Sequence, residues 1–336
     1  MKLTRRERII NAMEHKSSDF PPYFLDFTQP LRKILADSPQ YSLNYFKYDT
    51  QICGYNYSGN PVTTQENALY TDDFGIVWDR NGSDTEIGIV HNPVIKDFSL
   101  ANYSFPVLDD KLLFQRLKTA QDYREDRFFM AGIGFSLFER AWSLCSMENL
   151  LLSMVVDEDF VHELFSKICD FNLSVLDVIL DFDVDAVYFG DDWGNSDGLI
   201  MGFKNWKTFI KPYLSKMYNK VKQKNKLIVQ HSCGNIEEVF PELIKMGVNC
   251  YQSFSPDVYN IERIKEKYGN DLCFWGGLST QKLLTSTNPN EVISDIERNI
   301  HIMNRNGGFI LSPTNSLTCT YPLDNIGKLL QYLEGK

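Results

Sequence analysis

The sequence has no basic stripe, no long apolar run and no glycine-rich dinucleotide turn, and each lack removes a class of function. Its 44 acidic residues outnumber the 34 basic ones, for a formal net charge of −10. That is the wrong sign for a nucleic-acid surface. The lysines Lys220, Lys222, Lys224 and Lys226 gather at the end of a predicted helix, where positive charge complements the helix dipole. No stretch approaches the roughly 20 apolar residues of a membrane-spanning helix. The opening Met1-Lys2-Leu3-Thr4-Arg5-Arg6-Glu7 has no apolar segment behind its charges, so no secretory signal and a cytoplasmic location are expected. No Gly-x-Gly-x-x-Gly turn follows the first strand, which removes support for a dinucleotide-binding open sheet. Cysteine is sparse and odd in number, seven in all: Cys53, Cys145, Cys169, Cys233, Cys250, Cys273 and Cys319. In a reducing compartment these are packed side chains or metal ligands rather than a disulfide framework.

What is present is a globular chain of 336 residues, 43% hydrophobic and 23% charged, read as one catalytic domain over 1–336. Thr4 and Glu7 form a capping box ahead of an opening helix. Tyr23 to Phe27 is a short strand candidate, and 30 to 125 is irregular. The segment Asp72 to Trp78 in that region reads as a turn leading into an extended stretch. From 125 the pattern turns regular. Apolar runs at Arg127–Ile133, Val184–Phe189, Leu227–Gln230, Val248–Phe254, Leu272–Trp275 and Phe309–Leu311 alternate with helix-period segments, among them Asp157–Asp181 and Leu323–Leu333. Strand, loop and helix in repetition predict parallel βαβ units with both sheet faces buried. The expected fold is a (β/α)8 TIM barrel with an N-terminal helical extension and insertions, its eighth strand near Gln51–Tyr57.

The informative residues are His231-Ser232-Cys233-Gly234 at a predicted strand end. Period two puts His231 and Cys233 on one side of the extended chain, facing the barrel mouth. Cys319 follows the last predicted strand, and in a closed barrel all strand ends ring that mouth. One imidazole and two thiolates form a soft set suited to zinc, with the fourth position left open for catalysis. On spacing alone, Cys233 and Cys319 as ordinary packed side chains stand beside that reading. Asp191 and Asp192 are catalytic candidates, as acids or as groups orienting His231. Glu139, Tyr188, Trp193 and Phe254 are substrate-binding candidates, and Glu139 or an aspartate is also a candidate fourth ligand. The remaining cysteines are read as structural, and His15, His91, His162 and His301 form no second metal pattern.

These residues resemble the uroporphyrinogen decarboxylase superfamily, and within it the zinc-dependent, corrinoid-linked methyltransferases. The likeness rests on Thr4-Arg5-Arg6-Glu7-Arg8 with Pro21-Pro22, on Asp72-Asp73-Phe74-Gly75, and on Gly190-Asp191-Asp192-Trp193-Gly194. Above all it rests on His231, Cys233 and Cys319, which match that branch's zinc ligands. The family's Arg-Gln-Ala-Gly-Arg segment is replaced by Leu25-Asp26-Phe27-Thr28-Gln29-Pro30, so nothing clamps a carboxylate-rich tetrapyrrole. Cys319 also lacks the glycine-rich surroundings of the thiol methyltransferases. The resemblance implies transfer of a methyl group between a small substrate (methyl ether, methylamine or thiol) and a corrinoid carried by a partner protein, in anaerobic one-carbon metabolism. No nucleic-acid or membrane partner is expected, and a homodimer is the expected assembly. The competing expectations are a metal-free decarboxylase or lyase using Asp191 or Asp26, and a non-enzymatic barrel that binds a tetrapyrrole or corrinoid.

Overall fold

The computed structural model describes residues 3–38, 52–59, 61–62, 69–81, 88–334 and 336. After the helix Arg5–Met13, whose Thr4 and Glu7 form the expected capping box, and a second helix, Gln29–Asp37, come two short strands, β1 (Ile52–Cys53) and β2 (Asn56–Tyr57). A four-stranded antiparallel sheet follows: β3 (Pro61–Val62), β4 (Leu69–Asp72), β5 (Val77–Asp79) and β6 (Ile89–Asn92). The regular half of the chain supplies β7 (Phe128–Ile133), β8 (Ala186–Gly190), β9 (Leu227–His231), β10 (Cys250–Phe254), β11 (Cys273–Leu278) and β12 (Phe309–Pro313). These six run parallel in chain order, and both β1 and β2 pair with β7. Gly54 separates β1 from β2 because a Cβ there would lie 1.4 Å from the Met130 carbonyl oxygen. Gln51, the first residue of the expected strand, lies outside the described residues.

The ring closes through the extended segment 23–27. Tyr23 bridges Leu311 and Phe27 bridges Leu317, both in parallel. One buried cluster draws on every stave: Phe24, Ile52, Phe128, Ala186, Val229, Cys250, Cys273 and Ile310. Residues of eight successive staves can meet in one cluster only inside a closed barrel. The chain is a TIM barrel. Ile9, Ala12 and Met13 complete that cluster, so the N-terminal helix plugs one end and leaves the other as the mouth. The helices form the outer layer, the longest being Glu158–Ile179. That helix is capped by Asp157 and turns Leu164, Ile168, Val175 and Ile179 inward, as the 3.6-residue period requires. No described helix is long and apolar enough to cross a membrane.

The antiparallel sheet is tied to the barrel by a buried ion pair. Arg140 Nη1 lies 2.8 Å from Asp72 Oδ2, with the side chains 2% and 4% exposed. Asp72 also accepts from the Phe74 and Ile76 amides at 3.0 Å and from Trp78 Nε1 at 3.1 Å. The guanidinium lies 4.0 Å over the Phe74 ring, a cation–π contact that helps offset its desolvation. The Asp72–Gly75 turn is therefore an anchor between layers. Cys145, Cys169, Cys250 and Cys273 are buried on helices or strands, as expected of packed thiols.

Candidate metal centre

The loops after β8 and β9 are sewn together, and this brings the reactive side chains into contact. Asp191 N donates to the His231 carbonyl at 3.2 Å, and Asn235 N to the Asn195 carbonyl at 2.7 Å. Trp193 N donates to Ser232 Oγ at 2.9 Å, and Cys233 N to Asp192 Oδ1 at 2.7 Å. Gly234 permits this closeness. Its φ is +74°, and a Cβ would fall 2.2 Å from the Gly194 carbonyl carbon.

His231 Nε2 lies 3.2 Å from Asp192 Oδ1 and 3.7 Å from Cys233 Sγ. The three ligand atoms all lie within 4.8 Å of one another, the one such group among the described residues. With Zn–N and Zn–O near 2.1 Å and Zn–S near 2.3 Å, a zinc tetrahedron has N–O edges of about 3.4 Å and N–S edges of about 3.6 Å. The observed spacing fits that figure. The other imidazole nitrogen, Nδ1, pairs with Gln252 Oε1. An amide oxygen there selects the Nδ1–H tautomer and leaves the Nε2 lone pair facing Asp192 and Cys233, which is how histidine ligands are oriented. Gln252→Leu is expected to weaken zinc binding by about 10- to 100-fold in a chelator competition. Gln252→Glu keeps the acceptor and should keep the metal.

The electrostatics are those of a crowded, partly dry site. Burial alone would lower the His231 pKa, but Tyr188, Asp192 and Cys233 outweigh it and hold it well above the usual imidazole value. Burial would raise Asp192, yet contacts with His231 and Cys233 leave it below the ordinary carboxylate value. Burial raises the Cys233 thiol. Glu139 is pushed up to about 8 by burial and by the charges of Asp192 and Asp191. Its carboxyl thus joins His231 and Cys233 among the groups that hold a proton at the mouth near neutral pH.

The expected site residues divide. His231, Cys233 and Asp192 come together, with half-buried Glu139 beside them. The Tyr188 ring sits 5.9 Å from the imidazole, centroid to centroid. Four expectations need correcting. Asp191 is fully buried and accepts from the Leu137, Phe138 and Glu139 amides and from Trp193 Nε1. It caps the helix Phe138–Cys145 from outside its own segment and is an anchor rather than an exposed acid. Trp193 is sealed behind it, packed edge-on against Trp206 at 5.6 Å. Phe254 points away from the mouth because the register shifts between Gln252 and Phe254, and such an irregularity turns the next side chain to the other face. Its ring packs in the outer core on Phe274 and Tyr259.

Cys319 is the fourth. It is exposed and lies outside the group formed by His231, Cys233 and Asp192. The reason is local. Leu317 N donates to the Asp26 carbonyl at 2.8 Å, and Thr28 N to the Leu317 carbonyl at 2.9 Å. Buried Leu317 thus fastens the chain along segment 23–27 and leaves Cys319, two residues on, exposed on the loop that follows. Gln252 is the residue that sequence reasoning missed. A polar residue inside an otherwise apolar strand was the available signal.

The family model for uroporphyrinogen decarboxylase matches residues 4–335. The chain belongs to the uroporphyrinogen decarboxylase family. A solved methyltransferase from Methanosarcina mazei superposes with a TM-score of 0.72 at 15% identity, covering 99% of both chains. At that identity the likeness concerns the fold, and it extends over the whole family barrel. A sugar phosphate isomerase/epimerase from Parabacteroides distasonis matches at a TM-score of 0.40 and 11% identity, over 95% of this chain and 98% of that one, too loose a fit to bear on the site. No curated protein matches the sequence.

Proposed function

We propose that this family member is a cytoplasmic, zinc-dependent methyltransferase. It would move a methyl group between a small substrate (a methyl ether, a methylamine or a thiol) and a corrinoid carried by a partner protein. The observation that carries the reading is the assembled imidazole, thiol and carboxylate of His231, Cys233 and Asp192 at the spacing of a metal tetrahedron. A decarboxylase working with carboxylates alone has no use for a thiol in that place. Zinc held there supplies Lewis acidity toward the substrate's heteroatom.

The residues around it have separate tasks. Gln252 fixes the imidazole, and the Cys233 amide fixes the Asp192 carboxylate. Tyr188 walls the site on the β8 side. Glu139 holds a proton that a departing heteroatom can take. Cys319 is a reserve ligand, reaching the centre when the short loop from Thr318 to Pro322 turns inward. The corrinoid protein docks over the mouth, since the opposite end is plugged.

The test uses protein purified without oxygen. About one zinc per chain is expected, together with methylation of a reduced corrinoid protein by at least one donor class, followed through the corrinoid's absorbance. A folded protein that takes up no zinc would sink the reading and favour metal-free decarboxylation.

A further inference from the structure

Two of the three side chains at the centre are oriented by contacts described above. Gln252 holds the His231 ring, and the Cys233 amide holds the Asp192 carboxylate. The Cys233 sulfur has a device of its own, on the opposite face of β10. Gln252 faces the barrel interior, so Tyr251 beside it faces outward. The Tyr251 hydroxyl donates to the Ser232 carbonyl at 2.9 Å. Tyr259, in the loop after β10, donates its hydroxyl proton to the Gly234 carbonyl at 2.8 Å and accepts from the Ile236 amide at 2.9 Å. The two hydroxyls stand 3.1 Å apart. Both rings pack on Phe240, with centroids at 4.9 and 5.8 Å, and both residues are buried. Tyr259 is set in turn by Asn260, whose side chain caps the helix Ile261–Tyr268.

These bonds fall on the two peptide groups that bracket Cys233 and Gly234. In the first, Tyr251 holds the Ser232 carbonyl and Asp192 holds the Cys233 N–H at 2.7 Å. In the second, Tyr259 holds the Gly234 carbonyl and the Asn195 carbonyl holds the Asn235 N–H at 2.7 Å. With both planes fixed, the backbone between them has little freedom, and the direction of the Cys233 Cβ–Sγ bond follows. Resting on the metal-centre reading above, we propose that Tyr251 and Tyr259 are positioning residues that aim the Cys233 sulfur at the metal. Phenylalanine at either place would fill the same space but leave a buried carbonyl without its donor. The loop therefore needs the hydroxyls and not only the rings.

The experiment titrates the full chain with cobalt(II), whose thiolate-to-metal absorption reports sulfur ligation without turnover. The parent carries Cys319→Ala, so that the absorption comes from Cys233. Adding Tyr259→Phe is expected to weaken cobalt binding about tenfold and to diminish the thiolate absorption per bound ion, because the sulfur is no longer held in line. Tyr251→Phe should act in the same direction. Tyr103→Phe is the control. It removes a hydroxyl that donates to the Phe74 carbonyl at 2.9 Å in the Asp72–Gly75 turn, so it should cost stability and leave cobalt affinity and spectrum unchanged. Circular dichroism establishes which variants are folded, and Tyr251→Phe decides the matter if Tyr259→Phe does not fold. Folded tyrosine variants with the parent's affinity and spectrum would overturn the positioning role and leave the metal centre standing. So would an equal loss in Tyr103→Phe. Failure of the wild type to take up cobalt or zinc would overturn both.

Discussion

On the zinc reading proposed above, Cys233→Ala is expected to lose about 100-fold in zinc affinity, and Cys319→Ala only about tenfold. The first figure follows from dividing the roughly 10–16 kcal/mol of a four-ligand zinc site among its ligands, which gives about 3 kcal/mol each. The Cys233 N–H donates to the Asp192 carboxylate and the Gly234 turn holds the loop, so the Cys233 sulfur is in place before any metal arrives. Cys319 must first be drawn from solvent. Doing so breaks the 2.6 Å hydroxyl contact between Thr318 and Thr320 and orders an exposed loop. The measurement is competition with a chromophoric chelator on both variants, with circular dichroism to confirm that each is folded. Equal losses would make Cys319 a full resident ligand. No loss in Cys233→Ala would remove the centre proposed here. Binding is also expected to release protons, because His231 and Cys233 both carry raised pKa values in the metal-free protein. Apparent affinity should therefore climb as pH rises through neutrality.

The largest stability effect is expected at the other buried charge. Arg140→Leu leaves buried Asp72 without its ion-pair partner and should destabilise the fold by about 3–5 kcal/mol. At roughly 2.1 cal/mol/K per residue, a chain of this length loses about 6 °C of Tm. Asp72→Asn keeps a hydrogen-bond acceptor for the Phe74 and Ile76 amides and should lose about half as much. Thermal unfolding of both variants, with metal content recorded, checks this. A drop below about 1 kcal/mol in Arg140→Leu would mean the pair is hydrated and is no anchor. Metal binding should survive in either variant, because Asp72 and Arg140 have no bond to the loops after β8 and β9.

How much of this could be read beforehand follows from burial and spacing. The strands β7 to β12 were legible because both of their faces are covered, leaving apolar runs that no helix period explains. The helix Leu323–Leu333 was legible to the residue, its start marked by Pro322. β1 and β2 were faint, since Gly54 splits what would otherwise be one run. The antiparallel sheet from Pro61 to Asn92 escaped because strands of two to four residues carry too few alternations to register. At the site, period two sufficed to pair His231 with Cys233. It could not reveal that Gln252 reaches across from the next strand, nor separate Asp191 from Asp192. Adjacent side chains on a strand end face opposite ways, so one carboxylate went to a helix cap and the other to the side of His231 and Cys233. Cys319 was misplaced because its position in sequence says that it lies on the rim without saying on which side.

The helix Arg5–Met13 has a kinetic consequence. With the base stopped by Ile9, Ala12 and Met13, the barrel has a single doorway. A small molecule and a large protein that must both reach the same centre cannot enter from opposite sides, so they queue. If the partner protein proposed above docks there, the small molecule has to be seated before that protein settles over the rim, and it cannot leave until that lid lifts. Turnover in such an arrangement follows a compulsory order, and an excess of the macromolecule slows the reaction by sealing empty barrels.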